Sequence, residues 1–223
     1  MFEAILFDLD GTLADTAPDL GNAVNRLRAE TGLAALPISD LRPFASQGVR
    51  GLLRAGLGMT PDHPDYDKTA RRFLDHYAAN LCVETRLFPG METLLAAIEN
   101  AGLVWGIVTN KRSLFSQPLM AALGLAERAA VIVSGDTTAA AKPSPLPVLH
   151  ACQVTGCPPA RTLFVGDDRR DVEAGRAAGT RTAVVTFGYL GDGGPVETWG
   201  ADFLAADTEK LADYILSANA PTK

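Results

Sequence analysis

No stretch of this 223-residue chain is apolar for more than a few residues, far short of the ~20 that a membrane-spanning helix requires, so no such helix is expected. Cysteine is scarce. Cys82, Cys152 and Cys157 are odd in number and lack metal-ligand spacing, which argues against a disulfide framework or a structural zinc site and suits buried thiols in a reducing compartment. Histidine is equally sparse: His63, His76 and His150 show no paired ligand spacing and read as structural or solvated residues. Basic residues are outnumbered, 20 Lys and Arg against 26 Asp and Glu, for a formal net charge of −6. That balance disfavours a nucleic-acid surface. The opening residues enter a strand with neither a basic region nor a cleavage site, so a cytoplasmic location is expected.

What is present is an ordinary globular composition, 47% hydrophobic and 21% charged, with length enough for one good core and a small second module. Short apolar runs at Ala4–Phe7, Val104–Val108, Val131–Val133, Leu163–Val165 and Ala183–Val185 predict buried strands. Helix-period segments at Met91–Ala101, Leu114–Leu123, Leu146–Val154 and Asp171–Ala178 alternate with them, and Gly102, Gly124, Gly156 and Gly179 stand where C-terminal caps belong. The pattern predicts an α/β fold, a Rossmann-like parallel sheet with helices on both faces.

Between the first strand and the next β/α unit lie about 70 residues, Ala14 to Thr85, with amphipathic helical stretches and no convincing strand. They predict an inserted α-helical cap, residues 15–85, on a core of residues 1–14 and 86–223. Gly191–Gly200 reads as a Gly-rich loop and Ala218–Lys223 as a frayed tail. Trp105 is expected in the core and Trp199 as an anchor of the late loop.

The residues that carry chemistry all fall just past the carboxyl ends of predicted strands, where open α/β sheets bind ligands. Asp8 and Asp10, spaced i,i+2 and closed by Gly11 and Thr12, follow the first strand. A bend after Asp8, permitted by Gly11, lets the two carboxylates take different jobs. Asp-Gly alone is common turn chemistry. Three more segments strengthen the reading: Thr109 and Asn110 after Val104–Val108, Lys142 before Pro143, and Gly166-Asp167-Asp168-Arg169-Arg170-Asp171 after Leu163–Val165.

In order and residue type these four segments resemble the four motifs of the haloacid dehalogenase superfamily: Asp-x-Asp-x-Thr, a strand-terminal Ser or Thr, a Lys, and Gly-Asp-x-x-x-Asp. The likeness spans nearly the whole chain and implies Mg²⁺-dependent phosphoryl transfer. It assigns Asp8 as nucleophile, forming an aspartyl-phosphate, and Asp10 as acid and base. It gives the metal to Asp8, the Asp10 backbone carbonyl and Asp167, with Asp171 as an orienting carboxylate behind them. Thr109 and the Asn110 N–H would bind phosphoryl oxygens, and Lys142 would supply fixed positive charge. Asp168 stands where many relatives carry Ser; N-capping before Val172 explains Asp168 and Asp171 equally. Lys111 also reads as a surface lysine.

Substrate choice is expected in the cap, where Phe44–Arg50 forms a Gly-containing loop before a helix and could bring Gly48 backbone or Arg50 over the pocket; Arg50 as a plain surface residue is the alternative. The segments FDLDGTLADTAPDL, VTNK, AKPSP and FVGDDRRDVEAGRAAG resemble phosphoglycolate phosphatase-like enzymes. WGIVTNK, VGDDRRD and GYL followed by WGAD are similar to bacterial N-acetylmuramic acid 6-phosphate phosphatases. The expected partner is a small phosphorylated metabolite, 2-phosphoglycolate first and N-acetylmuramic acid 6-phosphate as the alternative, bound by a monomer or homodimer with no nucleic acid and no membrane. A dehalogenase would lack Asp10, and a phosphonatase would need a cap lysine, whereas the inserted region offers only Lys68, away from the expected loop. A phosphomutase and a non-catalytic phospho-ligand sensor remain as further readings.

Overall fold

The computed structural model describes residues 1–191 and 193–219. Residue 192 of the predicted Gly-rich loop and the last four residues of the predicted tail lie outside the described residues.

Its centre is a six-stranded, fully parallel sheet. Strand β1 (Ala4–Phe7) is followed at once by a two-residue β2 (Ala14–Asp15). Four helices come next: α1 (Ala17–Glu30), α2 (Ile38–Leu41), α3 (Gly48–Leu57) after a 3₁₀ turn over Arg42–Gln47, and α4 (Tyr66–Ala79). The chain returns through β3 (Arg86–Leu87) and then alternates: α5 (Met91–Asn100), β4 (Val104–Val108), α6 (Ser113–Ala122), β5 (Ile132–Val133), α7 (Leu146–Thr155). It ends with β6 (Thr162–Gly166), α8 (Arg169–Ala178), β7 (Arg181–Val185), β8 (Phe203–Ala205) and α9 (Thr208–Ser217). The sheet order is β5-β4-β1-β6-β7-β8.

All five predicted strands and four predicted core helices are present, with ends shifted by one or two residues. The glycines after α5, α6, α7 and α8 all have positive φ, from 70° to 84°. Strand β1 is central and wholly buried, which is why it reads as an unbroken apolar run rather than an alternation. The sequence reading lacked β2, β3, β8 and α9. Three of these are two or three residues long, too short to show a period. Helix α9 starts from Asp207, whose side chain accepts the Lys210 N–H at 2.7 Å.

The helices between β2 and β3 bury their own faces against one another. Leu20, Val24 and Leu27 of α1 repeat at i, i+4 and i+7 and meet Leu52 and Leu53 of α3 and Phe73 and Tyr77 of α4. Each large side chain buried there contributes about 1.5–3 kcal/mol. Two joints, the antiparallel β2–β3 pair, connect this layer to the sheet. A buried clasp reinforces them: the Asp19 carboxylate accepts the N–H groups of Val83, Glu84 and Thr85 and the Thr85 hydroxyl, at 2.7–3.0 Å. Among the described residues no helix is long and apolar enough to cross a membrane.

Candidate active site

Parallel strands that start at one edge deliver their following loops to the other, and five such loops meet over β1. They carry Asp8 and Asp10 after β1, Thr109 to Arg112 after β4, Lys142 after β5, Asp167 to Asp171 after β6, and Tyr189 after β7. The first loop bends at Gly11, φ 87°. A Cβ there would collide with the Asp167 carboxylate and the Tyr189 ring, so glycine is required by both conformation and space.

Lys142 sits at the centre. Its ammonium donates to the Val108 carbonyl at 2.8 Å and ion-pairs with Asp8 Oδ1 at 2.8 Å and Asp171 Oδ1 at 2.7 Å. Its backbone is held by Asn110, whose side-chain oxygen accepts the Lys142 N–H and whose amide donates to the Lys142 carbonyl, both at 2.9 Å. The Asn110 side chain thus fixes the lysine loop. Burial works against the charge on Lys142, but Asp171 and Asp8 outweigh it and raise its pKa.

Carboxylate oxygens of Asp8, Asp167 and Asp171 lie within 4.8 Å of one another. Asp167, fully buried, accepts the Thr12 hydroxyl at 3.0 Å and the Tyr189 N–H at 2.7 Å. Burial first, then the neighbouring Asp8 and Asp171 charges, push its pKa well above the ordinary carboxylate range. Asp171 is also raised, chiefly by burial and against the pull of Lys142. Both of its oxygens are already engaged, one by Lys142 and the other by the Asp168 N–H at 3.1 Å. Asp8 Oδ1 is buried with no hydrogen bond of good geometry, even beside Lys142. Three crowded carboxylates sharing a single ammonium fit a hard divalent cation such as Mg²⁺.

Asp10 points elsewhere. Its Oδ1 accepts the Thr16 hydroxyl at 2.6 Å and pairs with Lys111 Nζ at 2.8 Å. Lys111 is no surface residue: it is buried, its ammonium stands 4.6 Å from the centre of the Tyr77 ring, and although burial opposes its charge, Asp10 and Tyr77 raise its pKa. Thr109 is buried, and its hydroxyl accepts the Lys111 N–H at 3.1 Å.

These groups line a cavity of about 290 Å³ whose opposite wall comes from the inserted helices: Leu20, Val49, Phe73, Leu74 and Tyr77, with Phe115 of α6. Gly48 lines this cavity. Arg50 does not; it is exposed and lines an adjoining groove with Arg54, Arg169 and Arg170. Lys68 is exposed on α4 and lines neither space. Asp168 caps α8 and binds Arg170, which lowers its pKa even though burial pushes the other way. Arg170 reaches across to donate to the Ser46 carbonyl at 2.7 Å.

Sequence reasoning passed over Tyr189, Tyr77 and Arg170 and gave Lys111 little weight. The Tyr189 hydroxyl accepts the Thr16 and Ala17 N–H groups at 2.7 and 2.8 Å and donates to Asp15 at 3.0 Å, gripping the first joint of the helical layer. Its signal was position, a polar aromatic past the end of a strand. Lys111 carried the same signal, two residues beyond Thr109. Tyr77 carried none, because only the folded insertion brings it here.

The family model for haloacid dehalogenase-like hydrolase matches residues 5–185. An N-acetylmuramic acid 6-phosphate phosphatase from Pseudomonas aeruginosa is 43% identical, covering 96% of this chain and 94% of that protein. A phosphoglycolate phosphatase from Xanthomonas campestris pv. campestris is 42% identical over 93% of this chain and 94% of its own. Among solved structures, a predicted phosphoglycolate phosphatase from Haemophilus somnus 129PT superposes with a TM-score of 0.83 at 27% identity, covering 97% of this chain and 98% of that one.

Proposed function

Because this chain belongs to the haloacid dehalogenase-like hydrolases and is a phosphatase among them, we propose that it cleaves a small phosphorylated acid in two steps, through an aspartyl-phosphate on Asp8. The observation that carries this reading is the junction of Asp8, Asp167 and Asp171 around Lys142. An Asp8 carboxylate oxygen attacks phosphorus in line, the bond to the departing oxygen breaks, and Asp10 hands that oxygen a proton. Asp10 then takes a proton from water, whose oxygen attacks phosphorus and releases Asp8 and phosphate. Thr16 and Lys111 hold Asp10 Oδ1, which orients Oδ2 as the oxygen for proton transfer.

Asp8, Asp167 and the Asp10 backbone carbonyl would hold Mg²⁺, with Asp171 orienting through Lys142. The bound ion supplies positive charge that offsets repulsion between the phosphate dianion and the acidic cluster. Thr109 stands at the same wall and offers its hydroxyl to phosphoryl oxygens.

A cavity of about 290 Å³ with an apolar wall approaches the ~300 Å³ at which pockets begin to enclose drug-sized ligands, and exceeds the needs of a two-carbon ester. It supports N-acetylmuramic acid 6-phosphate ahead of 2-phosphoglycolate, and the arginine-lined groove beside it suits a carboxylate. The test is kcat/KM for both esters and several sugar phosphates with Mg²⁺. A preference of about a hundredfold, ~2.7 kcal/mol, for the muramic ester is expected. The reverse preference assigns 2-phosphoglycolate instead, and no turnover of any ester refutes the reaction.

A further inference from the structure

Among the described residues, four buried side-chain polar atoms make no hydrogen bond of good geometry, and three of them belong to residues that line the cavity described above: Asp8 Oδ1, which keeps its ion pair with Lys142, Ser46 Oγ and Tyr77 Oη. An orphaned buried polar group costs about 1–3 kcal/mol, so native structures keep few, and each asks for a reason. Asp8 has one in the reacting phosphoryl group and the cation. Ser46 and Tyr77 do not, since both come from the inserted helical layer, one from the 3₁₀ turn before α3 and one from α4.

Both residues are held in place while their buried hydroxyls make no hydrogen bond of good geometry within the protein, the Tyr77 oxygen lying beside the Lys111 ammonium. Arg170 binds the Ser46 carbonyl from the core side at 2.7 Å, which fixes the backbone of the turn. The Tyr77 ring packs on Phe73 and on Phe115, with centroids 6.4 and 5.7 Å apart, and its face lies under the Lys111 ammonium. Tyr77 is 2% exposed, and burial pushes its phenol up to about 12, so it is a neutral donor and acceptor at working pH. Between the two hydroxyls the wall is aliphatic and aromatic, with the Gln47 amide beside Ser46. Neutral hydroxyls set in an apolar wall match the surface of a sugar, whose C–H face packs on rings while its hydroxyl or amide groups need hydrogen bonds.

We propose that Ser46 Oγ and Tyr77 Oη are specificity-determining groups that hydrogen-bond the uncharged hydroxyl or amide groups of a sugar-sized phosphate ester. The proposal rests on the phosphatase reading only for the place of the phosphoryl group, at Asp8. It narrows the substrate class to esters with neutral polar groups beyond the phosphate.

Binding separates it from turnover. In an Asp8→Asn background, calorimetry would give Kd for N-acetylmuramic acid 6-phosphate, glucose 6-phosphate and inorganic phosphate, with Tyr77→Phe or Ser46→Ala added. Tyr77→Phe keeps the ring under Lys111 and removes the oxygen together with its interaction with that ammonium, which Ser46→Ala leaves untouched. Each change is expected to weaken the better-bound sugar ester about tenfold relative to inorganic phosphate. Equal weakening of ester and phosphate, or no change in either, overturns the proposal, as does a failure of both sugar esters to bind better than phosphate. If Tyr77→Phe does not fold, Ser46→Ala decides alone. Turnover of p-nitrophenyl phosphate by the unaltered enzyme with Mg²⁺ is scored separately; its absence refutes the phosphatase reading and leaves the binding result to stand by itself.

Discussion

The two walls of the cavity are built on opposite principles. On the sheet side nearly every polar atom is charged and engaged: Lys142 touches three oxygens, Asp167 accepts two donors, and Asp168 and Asp171 cap α8 reciprocally. On the helical side the surface is apolar, and two hydroxyls stand without partners. A wall of interlocked charges tolerates little change, because removing one member strands the others in a low dielectric. A wall of leucine, phenylalanine and tyrosine can be reshaped residue by residue at modest cost. On the proposed reading, the fold thereby separates the chemistry from the choice of what undergoes it.

That contrast breaks most sharply at Asp8. Asp8→Asn removes the proposed nucleophile while keeping its shape, so turnover is expected to fall by about 10⁴-fold or more with the circular dichroism spectrum unchanged; activity within tenfold of the unaltered enzyme would show that the sheet wall does not perform the chemistry. Charge balance can be probed next. EDTA should abolish turnover and added Mg²⁺ restore it. Without metal, Asp167 keeps its proton in the fold to higher pH than in the unfolded chain. Its contribution is therefore complete below the unfolded pKa of about 4 and is lost as pH rises through the raised folded value. Stability of the metal-free protein should fall as pH climbs from about 4 toward neutrality, and Mg²⁺ should stabilise most at the upper end. A Tm gain from Mg²⁺ that is constant across this range counts against the crowded cluster. The smallest of these effects concerns the joint between the walls. Asp19→Ala strips the acceptor from three N–H groups and one hydroxyl and should cost about 3 kcal/mol in urea unfolding; a loss under about 1 kcal/mol would mean the clasp contributes little.

The sheet wall was legible in the sequence because each of its residues follows a buried apolar strand, and in a parallel sheet that position alone implies convergence. Asp8, Asp10, Thr109, Lys142 and Asp167 could be grouped before any coordinates existed. Partners were harder to read than positions. Asn110 was singled out for its backbone N–H, and nothing local showed that its side chain holds the Lys142 loop as well. Lys111 looked like a solvated lysine because nothing local shows that a tyrosine some thirty residues earlier closes over it. The helical wall was legible only as an insertion. Four short helices joined by irregular turns reveal which residues are apolar, but which of them face the cavity follows from packing between helices. Arg50 illustrates the limit: one residue's rotation around α3 separates the cavity from the neighbouring groove.

Thr16 joins these two halves. It immediately precedes α1, its hydroxyl holds Asp10, and its N–H is gripped by Tyr189. The Asp10 carboxylate is thus tethered through one hydroxyl to the residue from which the helical layer starts, so the setting of its Oδ1 depends on where α1 is anchored.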